Sequence, residues 1–169
     1  MINVKKKGDR FEREIANKLS AWCGKTLRRA PLSGGWPEKK ALGDIVCVDD
    51  PEGFPFVISV KWRKTWALED LFLPKSPLMK WWAEVEEIAR KNRKIPMLIL
   101  KKNRRAPFLI MSEGDIMRIE MHSGVVAANA IYADLEGGIA LYICKLDEFL
   151  EHVDGAGLIE FLSEKVEEE

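Results

Sequence analysis

The sequence contains no glutamine, only two histidines and only three cysteines. Two histidines cannot build a His-rich zinc site, and neither His122 nor His152 has ligand-type neighbours. The cysteines (Cys23, Cys47, Cys144) are odd in number and have no paired spacing. They therefore read as buried thiols in a reducing cytoplasm, not as a disulfide frame. No apolar run reaches the roughly 20 residues of a membrane span. The segment Met1–Lys7 leads straight into charge, so a signal peptide, an anchor and a membrane partner are not expected. Gly34-Gly35 lacks the frame of a phosphate-binding loop, which argues against a nucleotide cofactor. No Gly-x-Ser-x-Gly elbow is present either. The missing glutamine, beside abundant Lys and Glu, leans towards a heat-adapted source.

What is present is charge, unevenly divided. Acidic and basic residues number 27 each. Residues 1–105 hold 24 Lys/Arg against 13 Asp/Glu, whereas residues 106–169 hold 3 against 14. A division of +11 and −11 points to a polyanion-binding face built from the first two-thirds of the chain. The length of 169 residues is that of one domain, and neither a repeat nor a linker interrupts it. We expect a single domain over 1–169, with a motif-bearing core about 5–112 and an acidic part about 113–169.

The order of elements indicates an α/β domain with a central mixed sheet flanked by helices. A helix is expected from Asp9 to Trp22, because Phe11, Ile15, Leu19 and Trp22 recur at helical spacing. Asp9 serves as its N-cap and Cys23-Gly24 closes it. A short strand near Lys25–Arg29 precedes a Gly/Pro-rich loop, 30–37. Strands Asp44–Val48 and Phe56–Trp62, joined by a turn, form an antiparallel pair. Ser76-Pro77 starts a second helix with the stripe Leu78, Trp81, Trp82, Val85, Ile88 and Ala89. Strands follow at Met97–Lys101 and Pro107–Met111, then Ile139–Cys144, with short helices at Leu146–His152 and Leu158–Val166.

Within this frame Asp44 opens one strand and Lys61 lies near the end of the next, so a hairpin can bring them together. A carboxylate at a strand end is a hard ligand suited to Mg²⁺. An ammonium beside it can steady charge on a phosphate under attack or help deprotonate water. Glu12 has two readings of equal standing, as the N3 acid of an Asp9-x-x-Glu12 capping box or as an inward-facing catalytic acid. Ser33 sits in the loop, where a hydroxyl has a phosphate within reach but is structural by default.

Four runs of residues carry a resemblance. Gly8-Asp-Arg-Phe-Glu12-Arg-Glu, Arg29-Ala-Pro-Leu-Ser33-Gly-Gly, Gly43-Asp44-Ile-Val and Val57-Ile-Ser59-Val-Lys61 together resemble the archaeal-type Holliday junction resolvases and their phage relatives. These belong to the restriction-endonuclease-like, PD-(D/E)XK nucleases. The resemblance covers about residues 5–110. It implies that Glu12 and Asp44 help bind Mg²⁺ (with Mn²⁺ able to substitute), that Lys61 acts on the attacking water or the phosphate, and that Ser33 matches the loop serine of such enzymes. It implies a structure-selective DNA endonuclease, cutting four-way junctions as a homodimer in a prokaryotic or phage-infected cytoplasm.

One position departs from the pattern: Ser59 stands where an acid is expected. Three explanations compete. The second acid has moved to a nearby helix, with Glu84 the first candidate and Glu69 the second. Alternatively Ser59 holds the metal through a water in a thinner site, with Val60 beside it in the metal set, or the chain binds DNA without cutting efficiently. Another nuclease of the same superfamily is the remaining alternative. The expected DNA contacts are the basic bursts Lys5, Lys6, Lys7 and Arg10, Arg28 and Arg29, Lys39 and Lys40, Arg63 and Lys64, and Arg104 and Arg105, which meet phosphates without reading sequence. Trp36, Trp62 and Trp66 are candidates to pack on exposed bases. Trp81 and Trp82 are expected in the core.

Overall fold

A computed structural model describes residues 4–31 and 42–164. Ser33, Trp36, Lys39 and Lys40 lie outside the described residues. The centre is one mixed sheet of seven strands: β1 Leu27–Arg29, β2 Ile45–Cys47, β3 Phe56–Arg63, β4 Ile95–Lys102, β5 Phe108–Ser112, β6 Ala130–Leu135 and β7 Ile139–Lys145. Their spatial order is β1-β2-β3-β4-β5-β7-β6. Every neighbouring pair is antiparallel except β3 and β4, which run parallel from Phe56↔Ile95 to Arg63↔Lys102. A parallel pair needs a crossover. Helix α2 (Pro77–Lys91) supplies it and packs on both strands.

The two central strands are buried on both faces over most of their length, which explains why apolar residues fill both faces, with Ser59 the polar exception in β3. In β4, Met97 and Ile99 join the core beneath α1 (Val4–Cys23), α3 (Glu113–Ser123), α4 (Leu146–His152) and α5 (Gly155–Glu164). Leu98 and Leu100 join the opposite core around Trp82 and Val85 of α2. Phe11, Ile15 and Leu19 are all buried, as their spacing predicts. Gly24, with φ +71, closes α1 through an N–H donated to the Ser20 carbonyl at 2.9 Å. Ser76 caps α2 by accepting from the Met79 N–H, with Pro77 at the first helical position.

Some expectations need correction. Helix α1 begins at Val4, so Asp9 and Glu12 lie inside it and do not cap it. Trp81 is half-buried and Ile88 is 38% exposed, while Met79 takes a buried place on the face of α2. Helix α3 and strand β6 were not anticipated. Of the described residues, no helix is long and apolar enough to cross a membrane.

Candidate functional site

The site is built by a gap in the sheet. Strands β2 and β3 pair only at Ile45↔Ile58, supplemented by a bridge from Gly43 to Ile58. Gly43 has φ +80, and a Cβ there would collide with the Ile58 carbonyl. Glycine alone lets the chain turn and approach so closely. The next residue, Asp44, donates its N–H to the Ile58 carbonyl (2.7 Å), and its own carbonyl accepts from the Ala30 N–H (2.8 Å). Asp44 is thus pinned by backbone to both sides.

Past Ile58 the edge of β3 has no ladder partner on the β2 side among the described residues, and the Asp44 side chain meets that edge. Its Oδ2 accepts from the Val60 N–H at 2.8 Å and from the Ser59 hydroxyl at 3.3 Å. The Lys61 Nζ stands 3.9 Å from the same oxygen. The hairpin therefore brings Asp44, Ser59, Val60 and Lys61 together. Ser59 is buried, whereas the Asp44 side chain keeps 31% of its surface exposed, open enough to meet a substrate.

Glu12 approaches from α1. Arg29 of β1 holds it, donating from Nε to Glu12 Oε2 at 2.5 Å and from Nη2 to Asp9 Oδ1 at 2.6 Å. Burial raises the carboxyl pKa of Glu12 above its ordinary value, the bond from Arg29 lowers it, and the Asp44 charge raises it again. Asp44 and Glu12 therefore share an electrostatic neighbourhood that a cation would relieve. The Val60 carbonyl leaves β3 on the same side as its N–H. Two carboxylates, that carbonyl and the Ser59 hydroxyl form an all-oxygen donor set. Mg²⁺ fits such a set, because it keeps several waters and commonly takes only one or two carboxylates.

The remaining candidates are spread more widely. Glu84 is exposed on α2, whose buried face is formed by Leu78, Met79, Trp82, Val85 and Ala89. Glu69 is exposed on the short 3-10 turn Leu68–Phe72. Among the described residues no group of three or more His, Cys, Asp or Glu gathers around a possible cation, so neither glutamate makes a third acid with Asp44 and Glu12. Arg29, expected on the DNA surface, has its guanidinium occupied by Asp9 and Glu12, with 17% of the side chain exposed. Trp62 is no open platform for a base: Lys7 lies 4.1 Å and Lys101 4.8 Å from its ring centroid. Lys102 similarly covers Trp66, and Arg63 covers Trp81. Lys5, Lys6 and Arg10 are exposed on α1, Arg28 on β1, Arg63 and Lys64 at the end of β3, and Arg104 and Arg105 in the β4–β5 turn.

Sequence reading missed a cleft of about 430 Å³ between α1 and β1, lined by Arg13, Asn17, Arg28, Arg29 and Pro31 among others. The available signal was modest. Arg13 and Asn17 lie four residues apart, on one exposed face of α1.

The mixed sheet thus brings Asp44 and Lys61 together at one edge, with Glu12 of α1 in electrostatic reach of Asp44. Over residues 3–160 the sequence matches the family described as "Phage putative PDDEXK endonuclease", and the chain belongs to that family. No curated protein matches it. Among solved structures, it is similar to Archaeoglobus fulgidus Hjc, a Holliday junction resolvase from an archaeal hyperthermophile. The identity is 16% and the TM-score 0.40, with 90% of this chain and 99% of that one covered.

Proposed function

We propose that the chain is a Mg²⁺-dependent DNA endonuclease that cleaves branched, four-way junctions by phosphodiester hydrolysis, acting as a homodimer. The observation that carries the nuclease reading is the Asp44 carboxylate, fixed in the gap of β3 with Lys61 Nζ 3.9 Å away. When bound, Mg²⁺ supplies Lewis acidity towards a phosphoryl oxygen and lowers the pKa of water. Asp44, Glu12, Ser59 and the Val60 carbonyl would hold it, with Mn²⁺ an acceptable substitute. Lys61, as an ammonium, steadies the negative charge that grows on the phosphate and on the attacking hydroxide. Arg29 positions Glu12 and balances its charge while the site is being filled.

Junction preference rests on the motifs shared with the resolvases, including the run that begins at Arg29. It also fits basic clusters that meet phosphates without an evident base-reading element. A four-way junction presents two equivalent strands, which a two-fold dimer would engage with matched sites. The Asp44→Asn substitution is expected to reduce Mg²⁺-dependent cleavage by at least about 100-fold. DNA affinity in EDTA should stay near that of the parent. A variant that cleaves at the parental rate would remove Asp44 from the site.

Ser59 favours a second reading, in which DNA is bound but cut slowly. A hydroxyl 3.3 Å from Asp44 leaves the site one negative charge short of the usual acid. On that reading Ser59→Glu raises the cleavage rate. On the first it leaves the rate unchanged or lowers it by crowding Asp44.

A further inference from the structure

The stretch that follows β3 carries an apolar tip that the described residues leave uncovered. Leu68, Phe72 and Leu73 are 38%, 69% and 56% exposed, and Pro74 beside them is exposed too. Slack chain does not explain this exposure. The Asp70 carboxylate accepts the Ala67 N–H at 2.9 Å, and the Asp70 carbonyl accepts from the Leu73 N–H at 3.2 Å and the Ser76 hydroxyl at 2.7 Å. The Ser76 N–H closes a further turn onto the Leu73 carbonyl at 2.9 Å. Leu71, 3% exposed, anchors the turn in the core beneath α2. A 3-10 turn capped and anchored in this way holds its apolar side chains outward with little entropy left to lose on binding.

The surroundings indicate what those side chains meet. Arg63 ends the site strand, Lys64 follows it, and Lys75 and Lys80 come after the turn, all four exposed. Against them stands one exposed acid in the turn, Glu69, since the Asp70 carboxylate is engaged by the Ala67 N–H. The Arg63 guanidinium is steadied 5.4 Å from the ring centroid of Trp81. An apolar tip set among cations suits DNA at a break in base stacking, where phosphates face the cations and an unstacked base step admits the tip. A second copy docking by this face would bring two cationic rims together, which charge opposes. Residues 64–67 link the end of the strand that carries Ser59 and Lys61 to the turn, which packs against α2.

Resting on the nuclease reading above, we propose that Phe72 and Leu73 form a wedge that enters DNA at an interrupted base stack, such as the branch point of a junction. This makes the wedge a source of selectivity for branched over continuous duplex. The test places 2-aminopurine beside the branch point of a synthetic four-way junction, with a continuous duplex carrying the same base as control, in EDTA. The parent protein should brighten the probe in the junction and leave it dark in the duplex. The double variant Phe72→Ala, Leu73→Ala should abolish the brightening and weaken junction binding by about 5- to 100-fold, the range of one lost stacking contact. Its duplex affinity and unfolding temperature should match the parent's, and Phe72→Trp with Leu73 intact should retain the brightening. Junction binding by the parent without brightening, or full brightening by the double variant, would overturn the wedge while the nuclease reading stands. So would conversion of a parental dimer to monomer by the double variant in sedimentation, since that assigns the tip to a second copy. Failure of the parent to bind any DNA would overturn both.

Discussion

At the scale of single residues, Glu12 is the most informative. A local reading makes it a partner of Asp9 in a capping box, and the spacing fits. The structure gives both carboxylates to one guanidinium, that of Arg29, from a strand 17 to 20 residues further on. No local pattern carries a contact of that kind, which is why the sequence left two readings of Glu12 open. Burial, partly offset by Arg29 and reinforced by Asp44, raises the Glu12 pKa above 4.5. The folded state then holds this proton more tightly than the unfolded chain does. Stability present below the unfolded value is lost as pH rises through the raised folded value. Glu12→Gln, which keeps an acceptor for Arg29, should therefore match the parent in acid and exceed it in thermal stability at neutral pH, while losing Mg²⁺-dependent cleavage. Melting curves between about pH 4 and pH 8 check this, since a deficit that grows with pH would mean that the Arg29 pair outweighs burial.

Among the elements, the hairpin β2–β3 was legible and its defect was not. Two β-branched, apolar runs joined by a short Pro/Gly turn predict two antiparallel strands and hence the approach of Asp44 to Lys61. That β2 leaves β3 after Ile58 follows from Gly43, whose positive φ and contact with the Ile58 carbonyl are tertiary facts. Gly43→Ala should cost on the order of 1–3 kcal/mol of stability, in proportion to strained backbone elsewhere, and should lower cleavage further by shifting Asp44. Gly24→Ala is the control, because φ is also positive there but nothing lies within 4 Å of a Cβ. It should cost less and leave cleavage per folded molecule unchanged. Equal losses of activity in the two variants, measured after correction for folded fraction, would contradict the role of Gly43. The helix start at Ser76-Pro77 was legible because cap and proline act locally. Helix α3 and strand β6 were not. Strand β6 exposes Ala130, Ile131 and Tyr132 in succession, so its first half lacks the alternation of a half-buried strand. Helix α3 presents Met117 and Met121 to solvent, which blurs its apolar stripe.

For the whole molecule, the charge division of the sequence becomes a division in space. Basic residues lie on α1, on β1 and at the ends of β3 and β4. The described part of the acidic last third builds β6, β7, α3, α4 and α5; β6 lies at the opposite end of the sheet, while α5 packs against α1. A field of this form draws a polyanion to one end of the protein, and its effect should fade as salt rises. DNA affinity should fall steeply between about 50 and 200 mM salt, by 10²-fold or more if several phosphates are engaged together. A nearly flat salt dependence in a binding titration would mean that the basic end is not the DNA face. The nuclease family was legible from motif order. The covering of Trp62 by lysines, and the wedge-like turn after β3, required the folded chain.

The most direct test of the central claim is incubation of the pure protein with a synthetic four-way junction and a matched linear duplex, each with Mg²⁺ or with EDTA. Paired, symmetric cuts in the junction alone, and only with Mg²⁺, are the predicted result. Equal cutting of both substrates would contradict junction selectivity, and junction cleavage that persists in EDTA would contradict the metal centre assigned to Asp44 and Glu12.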